Sequence, residues 1–436
     1  MAITLTISIL TCLLLMFVIL VKPSVKIFNK EIEIYWIIPL IGALILIILQ
    51  KVAISDLINS FVSDSATNPI KVLILFFAMS MLSVYLDETG FFEYLATVTV
   101  KKAKSSQKRL FVIFYFTVSL LTVFTSNDIV ILTFTPFICK FCKHAKIEAT
   151  PYIVSEFVGA NTWSMLFVIG NPTNIYLSSA QGIGFLEYFK VMLIPTVFSG
   201  LSGFCLLYLL FRYKLKKPLE TDCQSLKLQN KTLSIIGLVH LACCTVFLAI
   251  SSYISIEMWV VSLIFAISLF LCVLVVRICN KQRPTILFET VKRLPYKLIP
   301  TVLGMFVVVL ALNQSGITKS FSELLGSELV IIKYGTLSTL LSNVLNNIPM
   351  SVFFSFVTNS LSGVAMQKAV YSTVIGSNLG ALLTPVGALA GIMFTSVLKR
   401  HGQKFGFFEF IKYGSLITVV SLVFALIGLS ISFIIF

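Results

Sequence analysis

Ten stretches of apolar residues, most of them about twenty residues long, dominate the sequence and leave few folds open to it. They run over Thr4–Val21, Ile34–Gln50, Val72–Leu86, Thr150–Ala180, Val191–Phe211, Leu233–Ile250, Trp259–Val276, Leu298–Leu312, Val370–Leu398 and Ile417–Phe436. A bilayer core about 30 Å thick needs roughly 20 apolar residues per helix. Only 12% of the 436 residues are charged, too few to cover a water-facing surface of this size. The chain is therefore expected to be an all-α polytopic membrane protein. The first stretch lacks the basic lead-in and small-residue cleavage site of a signal peptide, so it is expected to stay as a helix.

Charge sets the orientation. The basic residues cluster in short segments on alternate sides of the apolar stretches, which is the positive-inside pattern rather than a nucleic-acid footprint. With the N-terminus outside, 27 of the 33 Lys and Arg fall on the cytoplasmic side. Two further apolar stretches, Leu110–Cys139 and Ile331–Val357, carry polar breaks. The first has basic residues at both ends and the second lies between outer loops. Each is expected to enter and leave on one side as a re-entrant hairpin. The chain then has ten crossings, two hairpins and both termini outside, in a cell (inner or plasma) membrane.

The halves echo each other. Gly159-Ala-Asn161 and Gly170 are matched by Gly376-Ser-Asn378 and Gly387, in both cases 217 residues later. Gly184-Phe-Leu-Glu-Tyr-Phe-Lys190 returns as Gly406-Phe-Phe-Glu-Phe-Ile-Lys412, and Ser126-Asn127-Asp128 is matched by Leu345-Asn346-Asn347. Each half holds five crossings and one hairpin. An odd number of crossings turns the second half upside down, the inverted-repeat plan of many secondary transporters. The expected units are residues 1–212, a cytoplasmic linker at 213–231, and residues 232–436.

Polar breaks at membrane depth are tolerated only where they line protein or a watery cavity. Four are present: Thr125–Asp128, Gly170–Asn174, Val344–Pro349 and Thr384–Gly387. They should expose half-helix ends near the midplane, where N-termini favour anionic or polar atoms and freed carbonyls favour cations. The expected solute or ion site comprises Ser126, Asn127, Asp128, Asn161, Gly170, Asn171, Asn346, Asn347, Asn378 and Gly387. Intramembrane carboxylates are costly and mark function, so Asp128 and Glu156 are the expected proton-coupling groups. A basic residue near the inner surface is the alternative partner for Glu156. Glu156 precedes Asn161 by five positions, about 140° around a helix, which places them on different faces of a regular helix. No metal site and no cofactor beyond a coupling H⁺ or Na⁺ is expected. Cys139 and Cys142 form an isolated CxxC, and no nucleophile–base pair, P-loop or hydrolase motif is placed for catalysis.

These stretches resemble the ion transporter superfamily, and within it the branch of arsenite efflux permeases and sodium/proton antiporters. The resemblance rests on Thr125–Pro136, Glu156–Asn161, Ile169-Gly-Asn-Pro-Thr-Asn174, Asn346-Asn-Ile-Pro349 and Gly376–Gly387, and it spans the chain from about Val72 onwards. It implies an elevator-type homodimer whose hairpins and broken helices carry a small inorganic ion or solute, in contact with membrane lipid. It leaves room for a separate ATPase subunit. The dicarboxylate branch has Ser-Asn-Thr at both hairpin tips; this chain has Ser-Asn-Asp and Leu-Asn-Asn. The resemblance thus points to proton-coupled efflux of arsenite or antimonite. A sodium/proton antiporter and a sodium-coupled anion (dicarboxylate- or citrate-like) importer are the rival readings, and a passive channel and a membrane enzyme rank lower.

Overall fold

A computed structural model describes residues 1–436 except 22–23, 28–29, 64–67, 104–105, 217–227, 229 and 404. Most of the expected linker at 213–231 therefore lies outside the described residues. The first half carries ten α-helices: α1 (Ala2–Val21), α2 (Ile37–Ile48), α3 (Ile54–Val62), α4 (Pro69–Glu88), α5 (Phe91–Ala103), α6 (Gln107–Phe124), α7 (Asn127–His144), α8 (Thr150–Trp163), α9 (Pro172–Ser179) and α10 (Phe185–Phe211). The second carries α11 (Lys231–Ile250), α12 (Met258–Cys279), α13 (Thr285–Lys292), α14 (Leu298–Gln314), α15 (Ile317–Leu325), α16 (Val330–Leu345), α17 (Asn347–Thr358), α18 (Gly363–Gly380), α19 (Leu389–Arg400) and α20 (Phe407–Ile435). One short antiparallel pair of strands, Ser24–Ile27 with Lys30–Glu33, interrupts the otherwise helical chain.

Among the described residues seven helices are long and apolar enough to span a bilayer, and α14 with α15, bent by 75° at their junction, makes an eighth if the pair is counted as one span. The ten crossings expected from the sequence thus exceed the seven or eight that helix length and composition support. The stretch Ile34–Gln50 yields only the 12 residues of α2, about 18 Å of helix, because its first residues form a turn. Thr150–Ala180 and Val370–Leu398 are each split into two helices by an irregular segment.

Both interrupted stretches are hairpins. Phe114 of α6 stacks on Phe137 of α7 with ring centroids 6.4 Å apart, so the chain doubles back at Thr125–Ser126. The Tyr152 hydroxyl at the start of α8 donates to Gln107 Oε1 at the start of α6, 3.1 Å away. The chain thus enters the hairpin and leaves it at one end of the molecule. In the second hairpin Tyr334 of α16 meets Phe354 of α17 edge-on. Gly376 and Gly380 of α18 lie against Ser338 and Ser342 of α16, so α16 and α18 run parallel with α17 returning between them.

The corresponding helices α10 and α20 form the largest helix pair. Ser432 Oγ donates to the Val191 carbonyl at 2.8 Å, Gly428 sits against Pro195, and Gly203 against Ser421. The partner number falls as the chain number rises, so the two helices are antiparallel, the relation an inverted repeat requires. Exchange between halves repeats elsewhere: α2 packs on α14 as α12 packs on α4, and α7 on α19 as α17 packs on α9.

Polar contacts separate two ends of the molecule. At one, Ser315 donates to Thr4 (3.2 Å), Gln314 to Asp56 (2.9 Å), Lys71 pairs with Glu257 (2.7 Å) and Gln181 donates to Asn359 (2.6 Å). At the other, Arg293 pairs with Asp87 and Glu88, and Lys214 with Glu148. Each residue of the first set comes from a segment that the charge pattern puts outside, and each of the second from one it puts inside. Exposed pairs of this kind contribute little stability; their value here is as markers of which loops share an end.

Candidate functional site

Each half brings a hairpin tip against a broken helix. In the first, α8 ends at Trp163, the chain makes a 3-10 turn at Val168–Gly170, and α9 starts at Pro172, capped by the Asn171 side chain accepting from Thr173 N. Proline at the first position suits a helix start, where its missing N–H is not needed. Gly170 N donates to the Phe167 carbonyl and Gly387 N to the Thr384 carbonyl, each at 3.1 Å, so the repeat is kept down to single hydrogen bonds. Both glycines are sterically required. A Cβ at Gly170 would lie 2.3 Å from the Ser164 carbonyl oxygen, and one at Gly387 2.5 Å from that of Gly380.

The first tip is held by Asn127, whose Nδ2 donates to Asn161 Oδ1 at 3.0 Å, while its Oδ1 accepts from Asp128 N. The second is held by backbone and side chain together. Asn347 N donates to the Gly387 carbonyl at 2.9 Å, and Asn346 Nδ2 donates to the Val386 carbonyl at 2.9 Å. Asn346 sits at φ +69°, ψ 150°, a region costly for any residue but glycine. Helix starts align Asn127 with Asn347, so the repeat partner of Asp128 is Ile348. This moves by one residue the correspondence expected from the sequence.

Between the tips, Asn378 is saturated. Its Oδ1 accepts from Ser164 Oγ and Asn171 Nδ2 at 2.9 Å each, and its Nδ2 donates to Asn174 Oδ1 at 2.7 Å and to the Val374 carbonyl. Asn174 in turn donates to the Ser164 carbonyl, and Thr173 shares a hydrogen bond with Ser377. Asn378 and Asn171 thus form the frame that joins the halves, with no side-chain capacity left on Asn378 for a ligand. Asn378→Ala should strand the Asn171 and Asn174 side chains at about 1–3 kcal/mol each, while Ser164 Oγ keeps the Asn161 carbonyl as acceptor. A lower melting temperature of the purified protein in detergent would register this, while Asn378→Asp should restore part of it.

Each tip carries unmet capacity, as do Ser8, Tyr176, Ser199, Arg277 and Tyr371 elsewhere among the described residues. Ser126 Oγ and Asn347 Oδ1 are buried without a hydrogen-bond partner. The carboxylate of half-buried Asp128 has no hydrogen bond or ion pair among the described residues. Buried polar groups are normally satisfied, so Ser126 and Asn347 are exceptions, and Asp128 stands beside the first of them. Glu156 is fully buried, and its carboxylate receives Thr135 Oγ1 of α7 at 3.0 Å from each oxygen. No basic residue pairs with it among the described residues. Glu156 and Asn161 both reach α7, at Thr135 and Asn127, because their side chains straddle the line of contact between the two helices.

The structure therefore gathers Ser126, Asn127, Asp128 and Asn161 at one tip and Asn346, Asn347 and Gly387 at the other. Hydrogen bonds run from the first tip through Asn161 and Ser164 to Asn378, while the second tip is held separately on Val386 and Gly387. A cavity of about 180 Å³ lies beside Lys71, Gly184 and Trp259, away from both tips. Sequence reasoning passed over Ser164, Asn343 and Thr384. Asn343 Nδ2 donates to the Gly380 carbonyl while its Oδ1 accepts from Thr384. Their spacing, three residues from Asn161 and Asn346 and three from Gly387, was the signal available. Among the described residues no group of three metal-ligating side chains occurs.

Paired hairpins, helices broken at depth and unpaired polar atoms at buried tips define a polytopic membrane transporter. Residues 15–369 match the family model described as citrate transporter, and the chain belongs to that family. It is 24% identical to the "Arsenical pump membrane protein" of Escherichia coli over 82% of this chain and 86% of that one. It is 25% identical to the "Putative arsenical pump membrane protein" of Bacillus subtilis over 88% and 91%. The YdaH transporter of Alcanivorax borkumensis, whose crystal structure is described as having an unusual topology, shares the fold with a TM-score of 0.58 at 14% identity, over 98% of this chain and 97% of that one.

Proposed function

We propose that the protein is a proton-coupled exporter of a small uncharged inorganic solute, with arsenite or antimonite as substrate, working by an elevator movement. The observation that carries this reading is the chemistry of the tips. They offer amide and hydroxyl groups and helix N-termini, one unpaired carboxyl group at Asp128, and neither lysine nor arginine. A trihydroxide such as arsenious acid is uncharged at neutral pH and both donates and accepts hydrogen bonds, which suits Asn and Ser. In the cycle Asp128 takes up and releases the coupling proton, Glu156 assists, and Ser126, Asn127 and Asn347 hold the solute. The hairpins and broken helices, α6–α9 and α16–α19, make up the transport region that moves against the remaining helices. Two copies form a homodimer in the plasma membrane, with both termini of each outside, and a separate ATPase subunit is a further partner.

The arsenical relatives support the substrate. The family description supports a second reading, sodium-coupled uptake of a citrate-like anion. Against it stands Asp128, since a carboxylate beside the site repels a polyanion. Everted membrane vesicles separate the readings. Arsenite accumulation driven by an inward proton gradient is expected. Citrate movement coupled to sodium, with no arsenite accumulation, would replace this reading with the second, and sodium-driven proton release would make the protein a sodium/proton antiporter.

A further inference from the structure

Along α17 a row of polar residues runs away from the second tip: Asn347, Ser351, Ser355 and Thr358. Spacings of four, four and three keep them on one helix face. The row covers about 16 Å, half the thickness of a bilayer core. All four are buried. The hydroxyls of Ser351, Ser355 and Thr358 donate to their own helix carbonyls, which leaves their oxygen lone pairs free to accept. The outer end of the row is closed by Gln181, whose Nε2 donates to Thr358 Oγ1 at 3.2 Å and to Asn359 Oδ1 at 2.6 Å.

Helix α9 faces this row. Tyr176 is 4% exposed and its hydroxyl lies beside Ser355, yet no aligned hydrogen bond satisfies it. Tyr176 Oη thus sits on the seam between α9 and α17, two helical turns along α17 from a second buried orphan, Asn347 Oδ1. A phenol held dry with only an ill-aligned contact to Ser355 costs stability, and phenylalanine would fill the same space without that cost. The equivalent row on α7 is different. It reads Asn127, Ile131, Thr135 and Ile138, with apolar residues in second and fourth place and the Thr135 hydroxyl taken by Glu156.

We infer that the α9–α17 seam is the path by which the solute passes between the second hairpin tip and the end of the molecule at Gln181, and that Tyr176 is a solute-binding residue on it. Its hydroxyl is a hydrogen-bond partner for a small neutral solute bearing several hydroxyl groups. The solute class rests on the proposed function; the path does not. Gln181 is the outermost contact to open.

Two measurements test this. Tyr176→Phe should raise the apparent KM for arsenite in everted vesicles at least severalfold, while the purified variant melts at or above the wild-type temperature. Ser355→Cys should react with a membrane-impermeant maleimide, above the wild-type background, from one membrane face only. Wild-type kinetics in Tyr176→Phe, or a lowered melting temperature that marks the hydroxyl as structural, overturns the role of Tyr176. Absence of labelling of Ser355→Cys in both intact cells and everted membranes overturns the path. If the wild-type protein moves no arsenite, the proposed function fails by itself. The labelling then decides the path, and the same KM comparison with the solute that is transported decides Tyr176.

Discussion

Asp128→Asn should abolish proton-driven solute accumulation while leaving the protein folded. The side chain is half-buried at the first tip, and among the described residues no hydrogen bond or ion pair to its carboxylate holds the structure together there. Asparagine has the same shape, so helix α7 and the Asn127–Asn161 contact survive. What it loses is the ability to change charge. Each elementary charge moved across 100 mV is worth about 2.3 kcal/mol, and a tip that no longer exchanges a proton cannot draw on that gradient. Solute exchange down its own gradient, measured as counterflow in vesicles without a pH difference, should persist. Proton-driven accumulation at the wild-type rate in Asp128→Asn would remove Asp128 from the mechanism.

Gly376→Leu should prevent folding. A Cβ at Gly376 would stand 1.9 Å from Ser338 Oγ, 2.7 Å from the Gly335 carbonyl oxygen and 2.8 Å from Thr339 N. Two of these are backbone atoms of α16, so no rotamer change relieves the clash and the helices must separate. Close approach through small residues is how membrane helices gain packing energy when lipid offers no hydrophobic contrast. Overpacking costs about 1–3 kcal/mol where a core can adjust; here the cost exceeds that, because Asn378 is displaced two residues further on. The repeat supplies the control. At Gly159 the nearest atoms to an added Cβ are Ser119 Oγ and Tyr115 Cε2, both side-chain atoms at 3.4 Å. Gly159→Ala should therefore elute from size-exclusion chromatography as the wild type does, whereas Gly376→Leu should aggregate.

That asymmetry bears on how far the sequence can be read. Apolar length, the alternation of lysines and the recurrence of Gly-x-Asn foretell the helices, the two hairpins and the four breaks, because membrane burial and backbone satisfaction act on local composition. Partners set by tertiary packing are another matter. Nothing around Glu156 announces that Thr135, 21 residues away, rather than a lysine, would meet it. Asn378 and Asn347 look alike in sequence, yet one is fully paired and the other carries a free oxygen, a difference decided by side chains from the opposite half. The bend between α14 and α15 and the shortness of α2 also escaped, since apolar composition continues through both.

The backbone at Asn346 has a consequence for motion. A non-glycine residue at φ +69° stores about 1–3 kcal/mol, and the geometry is held by the Asn346–Val386 contact and by the Asn347 amide on Gly387. Both clamps belong to one loop, residues 384–387, which is itself braced through Asn343. Loosening that loop would release the tip, and relaxing the tip would unfasten the loop. The two segments form a single interlock, so their amide protons should exchange with solvent in step, as one opening event rather than two.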